Sequence, residues 1–443
     1  MLFIKGNDMF GIKVRAGMIS TFFLLMMSSS AIAQCTKITA QSQLSSTSDG
    51  VGALWYGSLD YNNGSLGLPS VVDISTSNDF QPDGTLLASS VAPFTSYAVN
   101  SGYVSEQVLF RCDAADAGKV YEVYATNGDA AYAGMYDDGS ITGVAPKSYA
   151  TYVRNIAIRF TNMETGEFYD KIWKSRPLTG LDTDSQGRLL VKAKNFSAVQ
   201  TEIFRLNYAR SGTNNAASYL YAYTQPNAYI AFRGPGITGP ADGADSQTSF
   251  PGWYGTWPAS IGLYNYVTFR RGATCKVSNF TPVVTLPAIN ISALQAGEVS
   301  QSPFTLDFQC QSAATSGLKT GQIALGFLAP PASVAAATKY GLITSGAANY
   351  LLDEQYGAAG HARGVGVKIY RNNQPMQFLT TDTTKTTGWS PILGGDQTLV
   401  DSNTAQGINS YTETFMAQLE KFGGDELTAG SYQAHAQILI RIQ

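Results

Sequence analysis

Apolar residues recur every second position along most of this chain. Ile156, Ile158 and Phe160 alternate with polar or small neighbours, and Leu189, Val191 and Ala193 repeat the pattern, as do Leu263, Val267 and Phe269. Turn signals separate these runs: Asn62-Asn63-Gly64, Asp83-Gly84, Asn127-Gly128 and Asp137-Asp138-Gly139. The second half is clearer still. Phe304, Leu306, Phe308 and Cys310 alternate with Thr305, Asp307 and Gln309, followed by the rows Ile323-Leu325-Phe327, Val365-Val367-Ile369 and Tyr411-Phe415-Ala417-Leu419. No long segment carries a helical stripe; only Ser333 to Lys339 is expected to make a short turn of helix. The pattern predicts an all-β protein of two β-sandwiches in series. The join is expected in the polar stretch Arg270-Arg271-Gly272-Ala273-Thr274, dividing the chain into domains 34–271 and 272–443.

The last strand poses a question. Ala434, Ala436, Ile438, Ile440 and Ile442 form one row, with His435, Gln437, Arg441 and Gln443 on the opposite face. Chain ends usually fray into polar tails, yet this row stays apolar to the penultimate residue, so something is expected to cover it. The second half shows about six strands, one short of a complete immunoglobulin-like sandwich. A sandwich missing a strand exposes an unpaired edge and a groove of core side chains, which another chain can fill by adding a strand. A complete sandwich with an unread seventh strand fits the count equally well.

Composition narrows the function. Of 443 residues, 44% are apolar and only 14% charged, against roughly 25% charged in ordinary soluble domains, so the surface relies on neutral polar groups. A net charge of −3, from 29 basic and 32 acidic residues, supplies no basic field for nucleic acid. The apolar content is too high for disorder. At the start, Lys5, Lys13 and Arg15 precede an apolar run from Met18 to Met27 and then Ala31-Ile32-Ala33. This order predicts a secretory signal over 1–33, cleaved after Ala33. The run is well short of the roughly 20 residues that span a bilayer, so no membrane insertion is expected. Gln34 stands before Cys35 where lipoprotein processing needs a small residue. Four cysteines in an exported chain read as disulfides with three possible pairings; the local one, Cys35–Cys112 and Cys275–Cys310, places one bridge in each domain.

Motifs for catalysis and metals are poor matches. Gly234-Pro235-Gly236-Ile237-Thr238-Gly239 has dinucleotide-loop spacing, but Pro240-Ala241-Asp242-Gly243 follows where a helix is required. Asp182-Thr183-Asp184-Ser185-Gln186-Gly187 resembles a calcium loop whose twelfth position is Ala193 instead of a carboxylate, so a hairpin turn is expected. His361 and His435 are the only histidines, both in the second domain, which leaves the first without a serine triad or a histidine metal site. No metal, cofactor or catalytic residue is expected, although Glu106 with Asp113, or Asp242 with Asp245, would satisfy the carboxylate pairing of a glycosidase. The best ligand candidate is the loop from Gly234 to Pro258. There Trp253, Tyr254 and Trp257 offer flat faces to a sugar, and Asp242, Asp245 and Gln247 offer hydrogen bonds to its hydroxyls; alternatively Trp253 and Trp257 plug the end of the sandwich. Tyr219, Tyr221 and Tyr223 form a same-face ladder read as core or cross-strand packing.

The second half resembles a chaperone–usher pilin domain. The resemblance rests on Thr274-Cys275-Lys276-Val277 with Val283-Val284-Thr285-Leu286-Pro287, on Gly364-Val365-Gly366-Val367-Lys368-Ile369-Tyr370, and on Tyr411-Thr412-Glu413-Thr414-Phe415 through Ala429-Gly430-Ser431-Tyr432. Gly430 is the fourteenth residue from the C-terminus, where these subunits typically place a glycine, whereas the usual penultimate aromatic is Ile442 here. The resemblance implies an incomplete immunoglobulin-like sandwich lacking its last strand, with Cys275–Cys310 bridging its first two strands. A periplasmic chaperone would pair with the C-terminal strand through Ala436, Ile438, Ile440, Ile442 and Gln443, and a neighbouring subunit would later donate the missing strand. Pilins ordinarily begin with a donor arm, whereas here Gln34-Cys35 leads into a β-rich domain. The resemblance therefore implies a two-domain tip adhesin, assembled through an outer-membrane usher, with a lectin-like N-terminal domain that binds a host glycan or surface protein. A non-adhesive capping or minor pilus subunit, or a secreted glycan-active enzyme, are the alternatives.

Overall fold

The computed structural model describes residues 34–55, 57, 65–97, 102–207, 212–252, 255–319, 321–383, 385–395 and 397–443. The expected signal segment 1–33 and the turn Asn62-Asn63-Gly64 lie outside them. In the first half the principal strands are β1 (Val71–Ser75), β2 (Leu86–Ala92), β3 (Val108–Cys112), β4 (Tyr121–Thr126), β5 (Ile156–Asn162), β6 (Leu189–Lys192), β7 (Val199–Arg205), β8 (Ser218–Leu220), β9 (Ala228–Arg233) and β10 (Thr268–Gly272). In the second half they are β11 (Cys275–Phe280), β12 (Ser300–Gln311), β13 (Ile323–Leu328), β14 (Val365–Arg371), β15 (Ile408–Lys421) and β16 (Gln437–Ile442), with helix α1 (Pro331–Lys339) after β13. The chain is nearly all β, in two parts with separate main cores.

The first part stacks four small sheets: Thr36–Lys37 with β3, β6 and Asp182–Thr183; β2, β7, β5 and Tyr149–Ala150; β8, β10 and β1; and Ala259–Ile261, β9, β4 and Lys174–Pro177. In β5 both faces are covered, because Ala157, Thr161 and Asn162 are buried along with the expected row Ile156, Ile158 and Phe160. Leu263 and Val267 are buried but precede β10, so only Phe269 of that row lies in a strand. The Asp182 loop is a hairpin turn. Leu189 faces Thr183 across it, and Asp184 Oδ1 accepts the Gln186 and Arg188 amides, each at 2.9 Å, the local bonding that favours Asp in turns. Gly234 bridges back to Ile237, and no helix follows.

The second part has two facing sheets. One runs β11-β12-β15-β14 to the short strand Gln374–Met376, and Thr398–Asn403 also pairs with β15. The other has β13 at its centre, flanked on one side by Phe378–Leu379 and Trp389–Pro391 and on the other by β16. Here the alternation is one-sided: in β12 Phe304, Leu306, Phe308 and Cys310 are buried while Gln301, Pro303 and Thr305 are exposed. Phe304 stacks on Phe415, its cross-strand partner, with centroids 5.4 Å apart. Helix α1 starts two residues earlier than expected because proline is well suited to a first helical turn. One ion pair lies inside this core. Arg371 donates to both Glu413 oxygens at 2.7 Å and to the carbonyls of Pro391 and Ile392, joining the two sheets.

Disulfides join Cys35 to Cys112 and Cys275 to Cys310, closing separations of 77 and 35 residues. In the chain-entropy account each stabilises its part by roughly 3–4.5 kcal/mol. The stretch expected to be a polar gap is largely strand. Arg270, Arg271 and Gly272 belong to β10, which runs parallel to β1, and Arg270 clamps Asp73 at 2.6 and 2.8 Å. Only Ala273 and Thr274 separate β10 from β11. The two parts also meet in a small apolar seam of Leu86 and Phe204 with Ala324, Leu379, Trp389 and Leu439.

Candidate functional site

β16 has one satisfied edge. Ile442, Ile440 and Ile438 lie opposite Ile323, Leu325 and Phe327 of β13, and beyond the strand the Gln443 amide donates to the Gln322 carbonyl at 2.7 Å. Among the described residues no strand pairs with its other edge. Burial follows from this. Ile442 is buried, but Ile438, Ile440, Ala436 and Ala434 are only half-buried although they pack on the core. Val277, Val284 and Leu286 are in the same state on and just after β11, which contacts β16. Beside them Phe280 is 49% and Val283 74% exposed. The result is a groove between the first and last strands of the second part, walled by core side chains and bordered by a row of unpaired backbone groups. Such an edge accepts an added strand: main-chain bonds supply affinity, and side-chain pockets at alternate positions supply specificity.

The segment before β16 is held by a close backbone approach at Gly430. A Cβ there would come within 2.4 Å of the Ala362 amide nitrogen and of the His361 carbonyl carbon. Ser431 bridges His361 at that point. Tyr432 is half-buried, its hydroxyl accepts the Val367 amide at 3.1 Å and donates to the Leu351 carbonyl, and desolvation at this inner end pushes the phenol well above its ordinary range. Leu351 and Val367 pair across these partners, so the tyrosine ties the last segment to β14. His435 contacts Glu354 nearby.

The opposite face of β16 does something the sequence pattern did not reveal. Leu439 enters the seam with the first part. Arg441 lies over the Trp389 ring at 4.3 Å and donates to the Thr383 carbonyl at 2.5 Å and to Gln443 Oε1 at 2.9 Å. Burial pulls the guanidinium down to about 10, which leaves it charged at neutral pH. Thr383 in turn exchanges hydrogen bonds with Ser89 of β2, its amide reaching the Ser89 carbonyl at 3.0 Å and its hydroxyl accepting the Ser89 amide at 3.0 Å. The strand with the open edge is therefore also the buttress between the two parts. Alternation alone shows Arg441 facing away from the groove; only tertiary packing supplies Trp389 and Thr383 to receive it.

The other expected ligand residues are scattered. Trp253 and Tyr254 lie outside the described residues. Trp257 is 1% exposed, packed on Trp173 and Tyr229 with centroids at 5.3 and 4.9 Å, so its ring fills the core and presents no face to solvent. Asp242 accepts from Ser175 at 2.9 Å and pairs with Arg233. Asp245 pairs with Lys171 at 2.9 Å and accepts the Gln247 amide, while Gln247 itself is exposed. Glu106 bridges Lys192 and Lys194, each at 2.8 Å, and the two lysines hold it below the usual carboxylate range, while Asp113 accepts the Gln34 amide. Lys192 lines a polar cleft of about 450 Å³ with Asp49 and Asp182, and its ammonium is already bonded to Asp182 and Glu106.

The groove coincides with a sequence match. Residues 261–443 match the family described as Fimbrial protein. This region resembles a fimbrial protein domain. Fimbrial proteins build or tip fibres and are not enzymes. Solved structures also resemble the chain. The CupB6 tip adhesin from Pseudomonas aeruginosa is 12% identical, covering 86% of this chain and 96% of its own, with a TM-score of 0.23. The CsuC–CsuE chaperone–tip adhesion subunit complex of Acinetobacter baumannii Csu pili is 11% identical, covering 84% and 97%, with a TM-score of 0.18. The P pilus rod subunit PapA is 17% identical, covering 39% and 93%, with a TM-score of 0.22. No curated protein matches the chain. Within the fimbrial domain, β11 to β16 all fall inside the matched residues.

Proposed function

We propose that this chain is a fimbrial tip adhesin, exported through the periplasm and displayed at the end of a pilus. Its first part, residues 34–271, binds a surface glycan or protein. Its fimbrial domain, residues 272–443, joins the fibre by accepting a strand. The observation that carries this reading is the free edge of β16 beside half-buried Ile438 and Ile440. Before assembly a periplasmic chaperone covers that edge; at the outer-membrane usher a neighbouring subunit's strand replaces it. Cys35 is bonded to Cys112 and Thr36–Lys37 pairs with β3, so these residues are committed to their own domain and are not available as a donated strand.

Two measurements test this. The exported chain is produced with and without the chaperone of a pilus operon, and soluble yield and protection of 437–443 from protease are compared; indifference to the chaperone overturns the strand-accepting role. Pili carrying the chain are then applied to cells, glycans and matrix proteins. Binding lost when residues 34–271 are removed supports the adhesin, whereas intact pili that bind nothing identify a non-adhesive cap.

A further inference from the structure

The row Tyr219, Tyr221 and Tyr223, of which only Tyr219 lies in β8, does not stay together. Tyr221 is fully buried, but Tyr219 and Tyr223 are half-buried and meet two tyrosines from distant segments. Tyr152 and Tyr223 stack with centroids 5.1 Å apart and planes 4° from parallel. Tyr132 meets both edge-on, at 5.7 and 6.2 Å, and Tyr219 lies 6.2 Å from Tyr152. All four remain partly open to solvent.

The platform is fixed by backbone contacts below it. The Tyr152 amide donates to the buried Tyr221 hydroxyl at 3.2 Å, and the Tyr152 carbonyl accepts the Asn214 amide at 3.1 Å. The Tyr219 hydroxyl accepts the Ala222 amide at 3.2 Å. Tyr132 sits in a turn pinned by Gly134, where φ is +155° and a Cβ would strike the Asn127 nitrogen at 2.5 Å. Rings held this way bind at little entropic cost, as in tyrosine-rich recognition surfaces.

The surrounding chemistry selects the ligand. Residues 212–227 contain no charged side chain, but they do contain Thr213, Asn214, Asn215, Ser218, Thr224 and Gln225. Among the described residues no cation lies over any of the four rings. Burial raises the Tyr223 phenol above its ordinary range, and Tyr132, Asp129 and Tyr152 push it the same way. A cluster of partly open tyrosine rings, with neutral polar residues beside it in sequence and Asp129 close enough to act on Tyr223, suits a ligand with a C–H face, many hydroxyls and no negative charge. We propose that Tyr132, Tyr152, Tyr219 and Tyr223 form the stacking platform for an uncharged sugar residue of a glycan. This rests on the adhesin reading and locates its ligand away from the loop 234–258.

The full exported chain is titrated with neutral methyl glycosides (glucoside, galactoside, mannoside, fucoside, N-acetylglucosaminide) and with sialylated and sulfated sugars, and is applied to cells in parallel. Binding of at least one neutral glycoside is expected, weakened about tenfold by Tyr223→Leu or Tyr152→Leu and within about threefold of the original in Tyr223→Phe, since the ring and not the hydroxyl makes the stack. Fluorotyrosine NMR of the unsubstituted sequence gives a readout that no folding defect can mimic: tyrosine resonances shift on adding the bound sugar. Binding only of anionic sugars or of a protein, neutral-sugar binding unaffected by the leucine variants, or unmoved tyrosine resonances would each overturn the platform. If cells are still bound in any of those cases the adhesin reading survives; if neither cells nor sugars are bound, both fall.

Discussion

An internal strand added after Gln443 should fill the groove beside β16 and stabilise the fimbrial domain. The perturbation is an Asn-Gly turn followed by a strand about seven residues long with Val or Ile at alternate positions, folding back along the free edge as a hairpin. Four such side chains entering the groove bury apolar area worth roughly 6–12 kcal/mol, at about 1.5–3 kcal/mol each. The same strand covers Ile438, Ile440, Val277, Val284 and Leu286, which are half-buried at present. Ordering about seven added residues opposes this by roughly 7–14 kcal/mol in total, so the net gain comes from the further burial of those five groove side chains and from the strand's main-chain hydrogen bonds, at about 0.5–1.5 kcal/mol each, and is set at about 3 kcal/mol. For a unit of this size that corresponds to a rise in Tm of about 6–12 °C. Calorimetry of the extended chain against a version with Ser and Asn at the alternate positions isolates the side-chain contribution. A rise under about 2 °C, or an equal rise with the polar strand, would refute the claim that an unfilled groove exists there.

Other predictions follow from single contacts. Arg371→Met should cost about 3–5 kcal/mol in denaturant unfolding, because it strands the buried Glu413 carboxylate, whereas Arg371→Met with Glu413→Leu should recover most of the loss. Gly430→Ala forces backbone apart at His361 and Ala362 and should lower soluble yield and Tm, while Gly423→Ala, which meets nothing, should not. Leu439→Ala opens the seam by about 2–4 kcal/mol, and scanning calorimetry should then resolve two transitions where the parent chain melts more cooperatively. Trp257→Ala should destabilise the first part by about 3–5 kcal/mol, whereas Asp242→Asn should leave its unfolding midpoint nearly unchanged; the reverse result would move Trp257 out of the core.

The cysteine count predicted two disulfides and left the choice among three pairings to the fold, while the β class, the two-part layout and the apolar row of β16 were legible from alternation. These depend on near neighbours and on a period of two, which the backbone enforces wherever a strand forms. The hairpin at Asp182 was legible for the same reason: an Asp bonding amides two and four residues on is a local event. Tertiary structure decided the rest. Trp257 and Trp173 are far apart in sequence, and only their packing made Trp257 a core residue. Arg441 alternated away from the groove as a surface charge would, until Trp389 and Thr383 closed over it. Tyr219, Tyr221 and Tyr223 share a period but not a fate, because the aromatic neighbours that divide them, Tyr132 and Tyr152, come from other loops. Sequence periodicity reports which way a side chain points from its own strand; what waits for it there is set by segments tens to hundreds of residues away.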